Sequence, residues 1–196
     1  TAESSRRCVE LAEREPGVFA TVGIHPNEIM KAAPGDRDRV VDGSRVEAGD
    51  LVIGFASAGI HANGFSLVRR IVGDGEFDAD LLLPPTRLYL DEVRALRARA
   101  DVRALAHVTG GGIAGNLARV LPGGLGAVVD PASWERPEVF AWLAANGVAE
   151  DELRRVFNIG IGYCAVVPAT DARDDDLAIG RIVAGKLASS LATKRT

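Results

Sequence analysis

Apolar residues in this chain come in short unbroken runs separated by amphipathic stretches, with turn residues at nearly every change between them. LVIGFAS (51–57) is the strongest run and predicts a buried strand, which passes through the polar loop Ala58–Asn63 into a helix from Gly64 to about Val72. An apolar Leu81–Leu83 leads into Pro84-Pro85-Thr86. The next stretch, TRLYLDEVRALRAR (86–99), puts Leu88, Val93 and Leu96 on one face and arginines on the other, which is the helical pattern. LAHVTG (105–110) predicts a short strand ending in three glycines, followed by a helix over Ile113–Val120. GLGAVVD (124–130), PEVFAWLAANG (137–147) and GIGYCAVVP (160–168) read as strand, helix and strand, and IGRIVAG (179–185) adds an edge strand.

Ahead of this series, ESSRRCVELAERE (3–15) predicts a short amphipathic helix, capped at Ser4 or Ser5 and ended by Pro16-Gly17. VFATVGI (18–24) follows as a strand. KAAPGDRD (31–38) has the texture of a linker, and VVDGSRV (40–46) reads as a hairpin around Asp42-Gly43. Helices interleave with strands, but the hairpin and the uneven spacing argue against a purely parallel sheet. The expected fold class is α+β, a mixed β-sheet with helices packed on it in three layers. The expected divisions are residues 1–33, a main domain over 34–185, and a tail over 186–196.

Composition narrows the function classes. Of 196 residues 47% are apolar and 26% charged, with a net charge of −4, the balance of a soluble globular protein. No apolar run is long enough to span a membrane, and no export signal opens the chain. With no block of basic residues, nucleic acid is not an expected partner. Two cysteines, Cys8 and Cys164, exclude a disulfide scaffold or a cysteine-rich zinc module, so a reducing cytoplasm is the expected setting.

Three segments carry candidate chemistry. In Ser57-Ala58-Gly59-Ile60-His61-Ala62-Asn63-Gly64, small residues let the backbone approach a ligand, and the N–H groups at the following helix start favour an anion. His61 is the candidate proton-exchanging side chain. The same loop also reads as a plain turn in which Asn63 caps the helix. His107-Val108-Thr109-Gly110-Gly111-Gly112 has the same design, with Thr109 as hydroxyl donor and the glycines as a backbone nest for phosphate. It matches neither nucleotide-binding fingerprint, and a structural turn fits it equally well. In Phe157-Asn158-Ile159-Gly160-Ile161-Gly162 the glycines mark close backbone approach and Asn158 is the polar contact, or else the segment is a weakened strand under a helix. Arg87 reads as a surface residue in preference to a phosphate partner, and Asp171–Asp176 as a solvated loop. Cys164 reads as an inert core thiol, Trp134 and Trp142 as packing, and no metal ligand set is expected.

Residues 40–168 resemble the C-terminal domain of the phosphoribosylformylglycinamidine cyclo-ligase (aminoimidazole ribonucleotide synthetase) family. The match is carried by DRVVDGSRVEAGDLVIGFASAGIHANGFSLVRRIV, LLLPPTRLYL, AHVTGGGIAGNLARVLPGGLGAVVD and FNIGIGYCAVVP, in that order. The resemblance implies ATP-dependent closure of formylglycinamidine ribonucleotide to aminoimidazole ribonucleotide, with ATP and magnesium as cofactors. By position, it implies His61 as the catalytic residue. Ser57, Gly59, Asn63, Gly64, His107, Thr109, Gly110, Gly111, Gly112 and Asn158 would bind substrate.

Two departures qualify what the resemblance implies. The family's N-terminal domain, source of most ATP and magnesium ligands, has no counterpart here. That implies no turnover by this chain alone, and makes either the missing domain or a second copy the expected protein partner. In its place residues 1–28 resemble an internal segment of TatD-type deoxyribonucleases, with Asn27 where that family commonly has histidine and without its His-x-His. No nuclease chemistry follows. After VVPATDA the cyclo-ligase family inserts a helix, whereas here DARDDDLAIGRI passes straight on, which leaves one sheet face short of cover.

Overall fold

A computed structural model of the chain describes residues 41–185 together with Glu10 and Arg14. Of the helix expected over 3–15 only Glu10 and Arg14 are described, both helical; the rest of it, the strand over 18–24, the linker over 31–38 and the tail over 186–196 lie outside the described residues. The chain divides into two compact units, Thr1–Val41 and Asp42–Thr196, and the architecture that follows is that of the second.

Five strands form one sheet: β1 (Leu51–Ala56), β2 (Ala104–His107), β3 (Leu125–Val129), β4 (Ile161–Val167) and β5 (Ala178–Ala184). Six helices accompany them: α1 (Phe65–Val72), α2 (Ala79–Leu82), α3 (Leu90–Arg97), α4 (Gly112–Ala118), α5 (Glu138–Ala145) and α6 (Glu150–Val156). The α+β class stands. The sheet order is β2-β4-β1-β5-β3, and all four pairings are antiparallel, not mixed. The reason lies in the connections between the strands. β1, β2 and β3 are joined by helical crossovers and run in one direction, and β4 and β5 then insert between them in the other. β5 is thus an interior strand, paired with both β1 and β3, and not the expected edge.

β4 and β5 are parallel to each other across β1, an arrangement that ordinarily needs a crossover of a dozen residues or more. Here residues 168–177 suffice because the strands are staggered. Val167 at the end of β4 lies opposite Leu51, and Ala178 at the start of β5 lies opposite Ile53. The link therefore covers two strand spacings sideways, about 10 Å, and two residues of rise, about 7 Å. It is tied to the end of α3: Arg99 donates to the Asp171 carbonyl and pairs with Asp176, and the Asp171 carboxylate accepts the Asp101 N–H. The central strands stay covered on both faces, since Val52, Ile53, Cys164, Ala165, Val166 and Val167 are all buried. The missing family helix does not strip the middle of the sheet.

Two apolar clusters result. One packs Ile113 and Leu117 of α4 on Val52, Ala104, Ala106, Cys164, Val166, Ile179 and Ile182 of the sheet. The other is made by helices and loops, with Val68, Leu82, Phe140, Leu143, Leu153 and Phe157 at its centre. At the amino ends of β1 and β2 the buried Asp50 is neutralised by Arg103, which also reaches Glu47 and Asp101.

Other local differences have simple causes. Of the hairpin expected over 40–46, residues 41–46 are described and form none: Asp42 Oδ1 accepts the Ser44 N–H, and Gly43, at φ 85°, donates to Arg103. The helix expected from residue 86 starts only at Leu90, because Arg87 and Tyr89 both reach back to the Ala56 carbonyl and hold the preceding chain out of the helix. Leu88 accordingly is exposed and not on the buried face. α6 was not expected at all, although its acidic first turn (Glu150–Glu152) and basic last turn (Arg154, Arg155) suit the helix dipole. Among the described residues no helix is long and apolar enough to cross a membrane.

Candidate functional site

The three candidate segments meet where β1 and β2 end and β4 begins. Asn158 is the organiser on one side. It is 2% exposed, donates from Nδ2 to the Gly59 carbonyl (2.8 Å), and accepts from the Gly160 N–H (2.9 Å) and the Ser57 hydroxyl (3.0 Å). Ser57 also donates its N–H to the Gly160 carbonyl. Trp134 Nε1 holds the Ile159 carbonyl at 2.7 Å, fixing this segment from behind.

Asn116 does the same for the glycine triplet. Its Nδ2 lies 2.8–3.4 Å from the carbonyls of Thr109, Gly110 and Gly112, and its Oδ1 accepts from Thr109 Oγ1 and Arg119. The sequence reading passed over this residue. The available signal was its place at i+3 from Ile113, on the apolar face of α4, where a buried amide needs partners.

The nest expected around a phosphate at Gly110–Gly112 is already filled. Gly110 N–H goes to Asn63 Oδ1 (3.1 Å), Gly111 N–H to the Arg155 carbonyl (3.0 Å) and Gly112 N–H to the Thr109 carbonyl (3.1 Å). The first loop is different. Asn63 makes no cap to α1; its side chain bridges to the second loop instead. The N–H groups of Ala62, Gly64, Phe65 and Ser66 have no protein acceptor among the described residues. Gly64 sits at φ 80° with its Cα against the Phe157 ring, where a Cβ would come within 2.0 Å of ring carbon.

His61 is 4% exposed and has a left-handed backbone, φ 55°. Its Nε2 accepts the Ala58 N–H at 3.3 Å, so a neutral ring carries its proton on Nδ1, which has no hydrogen-bond partner among the described residues. Burial, and to a lesser extent the neighbouring His107, hold its pKa below the ordinary value. The geometry thus presents a neutral imidazole. The folded state then binds fewer protons than the unfolded chain, whose histidine titrates near 6.5. Its contribution to stability is present above that pH and is lost as the pH falls through it. The melting temperature is expected to decline from about pH 7 to pH 5, above the range of the carboxylates, and less so in His61→Asn, since asparagine tolerates this backbone. An identical slope in the variant would show that His61 is not held neutral.

A row of rings joins the two histidines. His61 lies 6.1 Å from Tyr89, Tyr89 5.5 Å from Tyr163, and the exposed His107 stacks on Tyr163 at 5.9 Å, with Phe55 alongside. Tyr89 was read only as part of a helix. It donates to the Ala56 carbonyl at 3.1 Å, and burial pushes its phenol up to about 12. Arg87 is paired with Glu92, and Asp171 and Asp176 serve the β4–β5 link. Cys164 is fully buried and its thiol is likewise pushed up to about 12. A cavity of about 200 Å³ between α5 and α6 contains none of the expected site residues. Among the described residues no group of three or more His, Cys, Asp or Glu could hold a metal ion.

Residues 47–186 match the family described as AIR synthase related protein, C-terminal domain. Curated relatives include the phosphoribosylformylglycinamidine cyclo-ligases of Paraburkholderia phymatum (43% identical), Paraburkholderia xenovorans (44%) and Burkholderia vietnamiensis (44%). Each alignment runs over 160 residues and covers 76% of this chain but only 44–45% of the relative. The chain thus spans less than half the length of the curated relatives it matches.

Proposed function

The chain belongs to the AIR synthase related protein C-terminal domain family, and from that premise we propose that it is the substrate-holding half of a purine-biosynthesis cyclo-ligase of the cytoplasm. Its ligand is formylglycinamidine ribonucleotide, the compound closed to aminoimidazole ribonucleotide at the expense of ATP. The observation that carries this is the Asn63–Gly110 bridge, which seats the two loops side by side and leaves the N–H groups of Ala62, Gly64, Phe65 and Ser66 as the unoccupied donors. In this reading those N–H groups receive the phosphate. The exposed His107 contacts the rest of the ligand. Ser57, Gly59 and Asn158 hold the first loop in shape, and Thr109 with Gly110–Gly112 hold the second. His61 acts as a neutral hydrogen-bond donor through Nδ1 and not as a proton shuttle.

ATP and magnesium do not fit the described residues by themselves. The loops supply two histidines and no carboxylate cluster, whereas a magnesium-bound triphosphate needs hard oxygen ligands. In this reading the phosphoryl-transfer half of the reaction belongs to residues of a partner domain.

Asn63→Asp separates ligand binding from folding. The carboxylate keeps an acceptor for the Gly110 N–H but adds negative charge beside the phosphate. Affinity for formylglycinamidine ribonucleotide, measured by isothermal titration, is expected to fall about tenfold or more with little change in melting temperature. Equal affinity in the variant would remove the first loop as the phosphate site.

A further inference from the structure

A phosphate monoester carries close to two negative charges at neutral pH, yet the N–H groups of Ala62, Gly64, Phe65 and Ser66 are all uncharged donors. Taking such an ion out of water without a countercharge is costly, so a fixed cation belongs within its reach. Every fixed cation among the described residues is an arginine. Three of those around the loops are engaged elsewhere: Arg87 pairs with Glu92, Arg154 with Glu150 and Arg155 with Glu152. Arg69 and Arg70 lie in the last turn of α1, at the opposite end from the donors.

Arg119 is placed differently. It follows α4 in the chain, but its side chain runs back along the helix toward the glycine triplet. Nη1 donates to Asn116 Oδ1 at 3.1 Å, and a Cβ added to Gly111 would meet Nη2 at 3.8 Å. No carboxylate among the described residues pairs with it, and Gly110, Gly111 and Arg119 are all exposed. A short chain of bonds joins this guanidinium to the first loop: Asn116 Nδ2 donates to the Gly110 carbonyl at 3.4 Å, and the Gly110 N–H donates to Asn63 Oδ1 at 3.1 Å. A forked donor tethered in this way loses less side-chain entropy when it closes on an anion.

We propose that Arg119 supplies the positive charge that holds the ligand's phosphate, acting in concert with the N–H groups of the first loop. Asn116 then has a second task, since the amide that fixes the glycine triplet also aims the guanidinium. The inference rests on the phosphate assignment made above and adds the cation which that assignment lacks. The test is isothermal titration of the full chain with formylglycinamidine ribonucleotide and with the ribonucleoside that lacks its phosphate. Arg119→Met is expected to weaken ribonucleotide binding about tenfold or more and to leave the ribonucleoside unchanged. Arg119→Lys, a point charge without the fork, should recover part of the loss, and Arg69→Met should match the wild type. The melting temperature of Arg119→Met should move little, because the residue is exposed and Thr109 still bonds Asn116. Unchanged ribonucleotide affinity in Arg119→Met overturns the inference. So does an equal loss for both ligands, which would make Arg119 a prop for the loop, or a larger loss in Arg69→Met, which would move the charge to α1. A wild-type chain that binds the ribonucleotide no better than the ribonucleoside would instead remove the phosphate assignment itself, and this inference with it.

Discussion

Gly112→Ala is expected to cost about 3–5 kcal/mol, a large share of the stability of an ordinary domain. Two independent penalties add. The backbone at Gly112 is left-handed, φ 63°, where a side chain costs about 1–3 kcal/mol. The new Cβ would also stand 1.9 Å from the Arg154 carbonyl oxygen and 3.3 Å from that of Phe157. Both are backbone atoms, so the end of α6 itself must move, and overpacking of that kind costs about 1–3 kcal/mol or more. Gly110→Ala is the internal contrast, because its nearest neighbour would be Asn63 Oδ1 at 3.9 Å and its φ is ordinary. Urea denaturation should show a near-neutral Gly110→Ala beside a severe Gly112→Ala. Comparable stabilities would mean that the triplet is not divided between packing and loop surface in this way.

Asn158→Ala is expected to cost about 2–4 kcal/mol and to loosen the first loop at the same time. The amide is buried and is the only side chain bonding the Gly160 N–H among the described residues, so truncation leaves that donor without an acceptor in a site with little room for water. It also removes the donor to Gly59, which leaves that carbonyl to Ser57 alone. Ser57→Ala should cost only about 1 kcal/mol, because Asn158 still holds both ends. The check is thermal unfolding together with amide hydrogen exchange at Gly160. An unprotected Gly160 with unchanged stability, or the reverse, would separate two effects that this geometry ties together.

Strands and helices with a clean period were legible in the sequence because local burial decides them: LVIGFAS and GIGYCAVV could lie nowhere but inside. What periodicity could not carry was lateral order. Nothing in IGRIVAG says that it will pair with β1 and β3 at once, since pairing is decided by chain segments distant in the sequence, β1 more than a hundred residues away and β3 more than fifty. The late start of α3 was hidden for a similar reason. The Ala56 carbonyl draws Arg87 and Tyr89 out of helical register, and that oxygen is thirty residues upstream. At the site, the residue types were visible and their directions were not. Glycine and asparagine announced tight loops, but only the fold shows that Asn63 bonds the other loop instead of capping its own helix. The same holds for Asn116, whose amide holds the carbonyls of Thr109, Gly110 and Gly112, while the N–H groups of the three glycines are taken up by Asn63, Arg155 and Thr109.

The interleaved sheet also constrains how the chain comes into being. β1, β2 and β3 emerge from synthesis first, all of one direction and none of them neighbours. Every lateral bond they will make waits for β4 and β5, and β3 has no strand partner other than β5 among the described residues. Until the last strand arrives the nascent chain carries open edges that invite pairing with the wrong molecule. Closure then depends on contacts of long sequence separation, which form slowly. A protein built this way concentrates its folding risk in the interval before β4 and β5 are in place, when unpaired strand edges can add to those of another chain.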